Sequence, residues 1–236
     1  MAKIADLPPP PVDPERSPPA SVAGEELIVL PGLPGEPSLE ARIRAPLGAT
    51  RAVVLCHPHP LYGGTMHSAV IVAIAKVLAE QRGDSAASIR FNYRGVGTSG
   101  GAYGHGVSEV ADARAAIREM RKRAPNAALT VCGYSFGTGV GLKAAALEDG
   151  IDRVVLVAPA VRIFNFLDGE PPPAVPIFIV AAENDDYCDV AEAEQIADAF
   201  NAQIQVVPGA DHFFLKGRRK LAEVVLPLIA PLTNRP

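Results

Sequence analysis

Short apolar runs impose the strongest constraint on this chain. Ala52-Val53-Val54-Leu55-Cys56, Leu129-Thr130-Val131-Cys132, Val154-Val155-Leu156-Val157-Ala158 and Ile177-Phe178-Ile179-Val180-Ala181 carry almost no polar residue. Strands without a polar face have to be covered on both sides, the signature of a parallel sheet. Stretches of helical spacing lie between and after them: Ala69 to Glu80, Val107 to Lys122 with Val110, Ala113, Ile117 and Met120 on one face, Ala191 to Phe200, and Leu221 to Ile229. Ser88 to Phe91 and Ile204 to Val207 read as further strands. This alternation predicts a mostly parallel sheet with helices on both faces. Glu26–Leu30 and Leu39–Arg44 flank Pro31-Gly32-Leu33-Pro34-Gly35 and predict an antiparallel pair at one edge.

A length of 236 residues, 48% of them hydrophobic and 20% charged, fits one globular domain with a full core. Residues 1–22, with Pro8 to Pro11, Pro14, Pro18 and Pro19, read as a disordered proline-rich tail, and residues 23–236 as the domain. The net charge of −4 argues against a nucleic-acid or polybasic membrane surface. No apolar run reaches transmembrane length and the first residues hold no signal-peptide core, so the cytoplasm is the expected location. Cys56 and Cys132 fall in buried strands, whereas Cys188 falls in a loop and is the one expected at the surface.

The strand ending at Cys132 runs into Gly133-Tyr134-Ser135-Phe136-Gly137, followed by a small, helix-compatible run, Val140 to Leu147. Such a strand-to-helix turn holds the serine in a strained conformation and projects its hydroxyl from the sheet edge, with glycines where a Cβ would crowd the turn. The Phe136 amide then opens a helix and faces any negative charge developing nearby. In sheets of this type ligands gather at the carboxyl ends of the strands. Ser135 follows one strand, a cluster of Glu183, Asp185 and Asp186 follows a second, and His212 follows a third. Ser, acid and His in that order suit nucleophilic catalysis. A base must take the serine proton, imidazole titrates near neutrality, and a carboxylate fixes its tautomer.

A second oxyanion donor is expected after Cys56, where Pro58 and Pro60 have no N–H and leave His59 or Leu61; we select His59. His57 and His59 form no metal site, because no acid or cysteine cluster completes one. Gly95, Gly97, Gly100 and Gly101 match neither phosphate-loop spacing and read as a packed turn. No cofactor is expected.

His57-Pro58-His59-Pro60-Leu61-Tyr62-Gly63-Gly64-Thr65-Met66, Phe91 to Gly101 through Arg94-Gly95-Val96-Gly97, the Ser135 motif and Gly209-Ala210-Asp211-His212-Phe213-Phe214 resemble the signatures of a bacterial group of small α/β-hydrolases. That group is similar to dienelactone hydrolases and lidless serine esterases, and the likeness spans residues 26 to 230. The resemblance implies an α/β-hydrolase fold and a Ser135–His212–Asp185 triad. Asp185 is the acid although Ala182 replaces the glycine of the usual Gly-Glu-x-Asp pattern. Pro159 to Pro176, where such folds commonly insert a lid, is too short for a cap domain and holds Phe164 and Phe166. These two and Tyr62 are the expected substrate contacts, in an open cleft suited to esters of small or medium acyl chains. Thioesters, amides or lactones are alternative substrates for the same machinery, and a non-catalytic binding protein is the alternative use of the fold.

Overall fold

The computed structural model describes residues 20–81, 86–162, 166 and 171–229. An eight-stranded sheet forms its centre: β1 (Glu26–Leu30), β2 (Leu39–Arg44), β3 (Arg51–Cys56), β4 (Ala86–Phe91), β5 (Ala128–Tyr134), β6 (Arg153–Val157), β7 (Ile177–Asn184) and β8 (Gln203–Asp211). Their spatial order is β1-β2-β4-β3-β5-β6-β7-β8. β1 pairs antiparallel with β2, β2 antiparallel with β4, and every later pairing is parallel, as the apolar runs predict.

Among the described residues five α-helices cover the two faces: α1 (Ala69–Ala79), α2 (Glu109–Arg123), α3 (Phe136–Ala146), α4 (Val190–Phe200) and α5 (Arg218–Ile229). Residues of α1 and α5 pack with Val53, Leu55, Val155, Val157 and Val180 on one side. Residues of α2, α3 and α4 pack with Val54, Val131, Val154, Leu156 and Ile179 on the other. Successive strand residues point to opposite faces, so both partners are needed to bury an unbroken run. Val154 to Val157 are 0% exposed, and each such side chain contributes about 1.5–3 kcal/mol of burial.

The parallel part of the sheet starts at β3, builds outward to β4, which pairs with β2, then returns to place β5 on the other side of β3. That reversal of direction opens a crevice above the β3 and β5 ends, where the loop of His57 and the turn of Ser135 both begin. The connection between β6 and β7 spans residues 158–176, and its described part contains no helix or strand. Among the described residues there is no lid domain.

Residues 1–19 of the proline-rich segment lie outside the described residues. Ala20 and Val22, which the sequence grouped with that tail, are packed instead. Val22 is buried among α1 and α5 residues, and the Ala20 carbonyl accepts a hydrogen bond from Arg90 Nη2 at 2.6 Å. Arg90 is fully buried within β4, where its guanidinium also donates to both carboxylate oxygens of Glu25 at 2.8 and 2.6 Å and to the Met66 carbonyl at 2.7 Å. One side chain thus ties the entry segment to the loop preceding α1. Among the described residues no helix is long and apolar enough to cross a membrane.

Removing one partner of a buried ion pair leaves the other charge uncompensated. Glu25→Ala is therefore expected to lower the unfolding free energy by about 3–5 kcal/mol, read as a lower urea midpoint at unchanged slope. Restoring an apolar fit with Glu25→Leu and Arg90→Met together should recover part of that loss.

Candidate active site

Ser135 sits between the last residue of β5 and the first of α3 with φ 53° and ψ −119°, a backbone conformation that L-residues rarely adopt. The surroundings hold it there. Its N–H donates to the Val157 carbonyl at 2.9 Å, and its carbonyl accepts from the Thr138 amide at 2.9 Å and from the Thr138 hydroxyl. A Cβ on Gly133 would overlap the Gly137 carbonyl oxygen, and one on Gly137 would overlap that of Cys56. The two glycines are required by backbone lying on backbone, as the motif predicts.

His212 comes from the end of β8 and Asp185 from the end of β7. A register irregularity between Ala182 and Asn184 makes Asn184 the partner of Asp211, so the next residues of the two strands stand side by side. The Ser135 hydroxyl lies 2.9 Å from His212 Nε2, and His212 Nδ1 lies 2.8 and 2.9 Å from the carboxylate oxygens of Asp185. Asp185 Oδ1 also accepts the amides of Tyr187 and Cys188 at 2.8 and 3.1 Å. With Nδ1 donating to Asp185, Nε2 is the free base and faces the hydroxyl. The neighbouring acids are engaged elsewhere: Glu183 accepts the Gly209 amide at 2.6 Å, and Asp186 is exposed. This arrangement can move a proton from Ser135 to His212 as the oxygen attacks an electrophile.

The loop after β3 is wired through its two imidazoles. Tyr93 N–H donates to His57 Nε2 at 3.1 Å, so Nδ1 carries the proton and donates to the Pro58 carbonyl at 2.7 Å. That bond fixes the Pro58–His59 peptide, and because the peptide is trans its N–H points the opposite way. The His59 carbonyl accepts the Tyr62 and Gly64 amides at 3.1 and 3.0 Å. Burial holds both imidazoles neutral. It lowers His57 to about 3, opposed by the Pro58 carbonyl and aided by His59, and lowers His59 to about 4, aided by His105. The Phe136 amide is the first of α3, and the Phe136 ring packs 4.7 Å from that of His59.

Tyr62 is half-buried, edge-on to His59 at 5.0 Å. Phe166 is packed against the core on the α2, α3 and α4 side, and Phe164 lies outside the described residues. Cys188 departs from expectation: it is 1% exposed, because Asp185 Oδ1 draws the turn inward by its amide. Burial, with Asp185, Glu192 and Asp189 nearby, pushes its thiol up to about 12. Among the described residues no group of three or more His, Cys, Asp or Glu is placed to hold a metal ion.

Sequence reasoning missed three tyrosines. The Tyr134 hydroxyl donates to the His212 carbonyl at 3.0 Å, Tyr187 packs 4.5 Å from the His212 ring, and Tyr103 meets His59 Nε2 at 3.0 Å. Tyr134 and Tyr187 stand next to the motif serine and two residues past the acid, positions that were a usable signal.

The family described as serine aminopeptidase, S33 (Hydrolase_4), matches residues 48–174. An uncharacterized protein of Rickettsia prowazekii (strain Madrid E), RP471, is 32% identical over 176 residues, covering 69% of this chain and 71% of that protein. Among solved structures, an α/β serine hydrolase homologue from Coxiella burnetii is 30% identical with a TM-score of 0.75, covering 89% of this chain and 99% of the other. XC6422 from Xanthomonas campestris, described as a serine hydrolase without a lid, is 27% identical with a TM-score of 0.76, covering 92% and 100%.

The neutral histidines have a consequence for stability. Their folded-state values lie below the ordinary 6.5, so unfolding takes up protons between 6.5 and the folded values, and stability falls as pH falls through that window. Each imidazole contributes a slope of about 1.4 kcal/mol per pH unit. Urea unfolding from pH 6.5 to 4.5 should show the decline, and His57→Asn should remove one imidazole's share of the slope.

Proposed function

The chain belongs to the serine aminopeptidase S33 family of α/β-hydrolases, and from that premise we propose that it is a serine hydrolase of carboxylic esters with small or medium acyl chains. The observation that carries the reading is the hydrogen-bonded line from Asp185 through His212 to Ser135.

In this mechanism Ser135 Oγ attacks the acyl carbon while its proton passes to His212 Nε2, and Asp185 stabilises the imidazolium. The carbonyl oxygen takes up negative charge facing the Phe136 and His59 amides. Phe136 contributes as the first amide of a helix, where the partial charge is positive, and His59 through a peptide oriented by His57. The tetrahedral centre collapses, the C–O bond to the alcohol breaks, and His212 returns the proton to the leaving oxygen. Water then attacks the acyl-serine, gives its proton to His212, and the acid departs as Ser135 recovers its proton. Neutral His57 and His59 put no net charge on the oxyanion side, which suits an uncharged ester. That no cap domain occurs among the described residues favours short acyl chains, which need no long apolar tunnel.

The family's description as an aminopeptidase supports a second reading, cleavage of an amide by the same residues. That activity would need a carboxylate to hold the substrate ammonium. Of the acids beside the site, Asp185 is committed to His212, Glu183 accepts the Gly209 amide and Asp186 is exposed to solvent, which favours the ester.

With p-nitrophenyl esters from acetyl to decanoyl, kcat/KM should be highest at the short end, and aminoacyl p-nitroanilides should be poor substrates. Ser135→Ala should reduce kcat by at least about 10³-fold, and Asp185→Asn by about 10⁴-fold, through the wrong imidazole tautomer. A fluorophosphonate should label the wild type and leave Ser135→Ala unlabelled. A wild-type chain that neither labels nor turns over any ester would overturn the hydrolase in favour of a binding protein.

A further inference from the structure

The loop between β4 and α2 carries Tyr103, which the mechanism above does not use. Its hydroxyl oxygen lies 3.0 Å from His59 Nε2. The direction of that bond follows from the other side of the ring. The Leu61 amide donates to His59 Nδ1 at 3.2 Å, so Nδ1 is unprotonated. The neutral imidazole therefore carries its hydrogen on Nε2 and donates to Tyr103. With its oxygen occupied as an acceptor, Tyr103 keeps its own O–H as a donor.

The position of that donor is built in. Glu109, fully buried in the first turn of α2, accepts the Gly104 amide at 2.7 Å and the Gly106 amide at 2.8 Å, immediately after Tyr103. At the start of the same loop, the Arg94 guanidinium grips Asp112 at 2.7 Å and Glu36 at 2.8 Å. Tyr103 is half-buried, its ring 5.3 Å from that of His59 and 6.2 Å from that of Phe136. Burial, with Glu109 and Tyr62 nearby, pushes its phenol up to about 12, so it stays protonated at neutral pH.

We propose that Tyr103 is a specificity-determining residue, donating a hydrogen bond to a second oxygen on the acyl chain of the substrate. The inference rests on the serine-hydrolase reading. Once Ser135 has attacked, the tetrahedral carbon carries three other groups. The oxyanion faces the Phe136 and His59 amides, and the leaving oxygen faces His212, which is flanked by Tyr187 and Phe213. Tyr103 contacts His59, His105 and Phe136, on the oxyanion side. On this proposal the remaining group, the acyl chain, is the one that passes it. The favoured substrates are then acyl groups bearing an ether, hydroxyl or carbonyl oxygen.

The test uses matched p-nitrophenyl esters: methoxyacetate with butyrate, 3-methoxypropanoate with pentanoate, and 4-methoxybutanoate with hexanoate. Within each pair only one methylene is exchanged for oxygen. In the wild type, the kcat/KM ratio of oxygen to hydrocarbon ester includes the contribution of Tyr103. In Tyr103→Phe that ratio should fall by about 3- to 10-fold for at least one chain length, the size of one hydrogen bond to a neutral partner. Ratios unchanged in all three pairs would overturn the proposal, whether Tyr103→Phe loses activity uniformly or not at all, because a merely structural role affects both members alike. Wild-type chain inactive on every ester and unlabelled by fluorophosphonate would overturn the hydrolase reading and this one with it.

Discussion

The contact on which the rest depends is main chain against main chain, where the turn after β5 lies on the end of β3. Gly137 approaches the carbonyls of Cys56 and His57 so closely that no Cβ fits between them. The same turn folds Gly133 against Gly137. Rigid backbone, rather than adaptable side chains, therefore fixes how Ser135 stands relative to the loop of His57 and His59. Holding Ser135 at φ 53° costs about 1–3 kcal/mol, offset by hydrogen bonds to Val157 and Thr138. A strained residue keeps its geometry only when its neighbours cannot move, and backbone contact is the stiffest neighbour available.

Electrostatics then divides the histidines by task. His57 and His59 are buried and hydrogen-bonded through both ring nitrogens, so they act as neutral struts that set peptide and hydroxyl directions. His212 has one nitrogen given to a carboxylate and the other to Ser135. Two buried ion pairs carry the loops from beneath: Arg90 with Glu25, and Arg94 with Asp112. Desolvation consumes much of what such pairs gain. Their value here is geometric, because Arg90 fixes the Met66 carbonyl and Arg94 takes a carboxylate that also accepts its own amide.

The sheet was legible because its cause is local. An apolar run without a polar face announces a doubly covered strand, and β3, β5, β6 and β7 form where those runs lie. Ser135, His212 and the acid cluster of Glu183, Asp185 and Asp186 were legible because each follows a strand, so topology brings them to one edge; the choice of Asp185 within the cluster came from the family resemblance. Cys188 was misjudged for the opposite reason. Its burial is set by a carboxylate three residues earlier that turns the chain inward, and composition carries no trace of that. Tyr103 was equally hidden, since its significance lies in a hydrogen bond to a residue 44 positions away. The packing of Ala20 and Val22 was not legible because Arg90, in the middle of the chain, reaches back to Ala20.

Among the described residues no lid covers the site, and aromatic side chains stand in its place. Charge developing near Ser135 is stabilised strongly only where water is excluded. Ser135, Asp185 and His212 are each only 6% exposed. Tyr187 and Phe213 pack on His212 at 4.5 and 5.2 Å, while Phe136 and Tyr62 pack on His59 at 4.7 and 5.0 Å. Tyr62 is close enough to Tyr103 on one side and Tyr187 on the other to help raise both phenols, after burial and nearby carboxylates. The rings thus run from the proposed oxyanion donors across to the proposed base. They do locally what a closing domain does globally, lowering the polarity around the proposed reacting atoms.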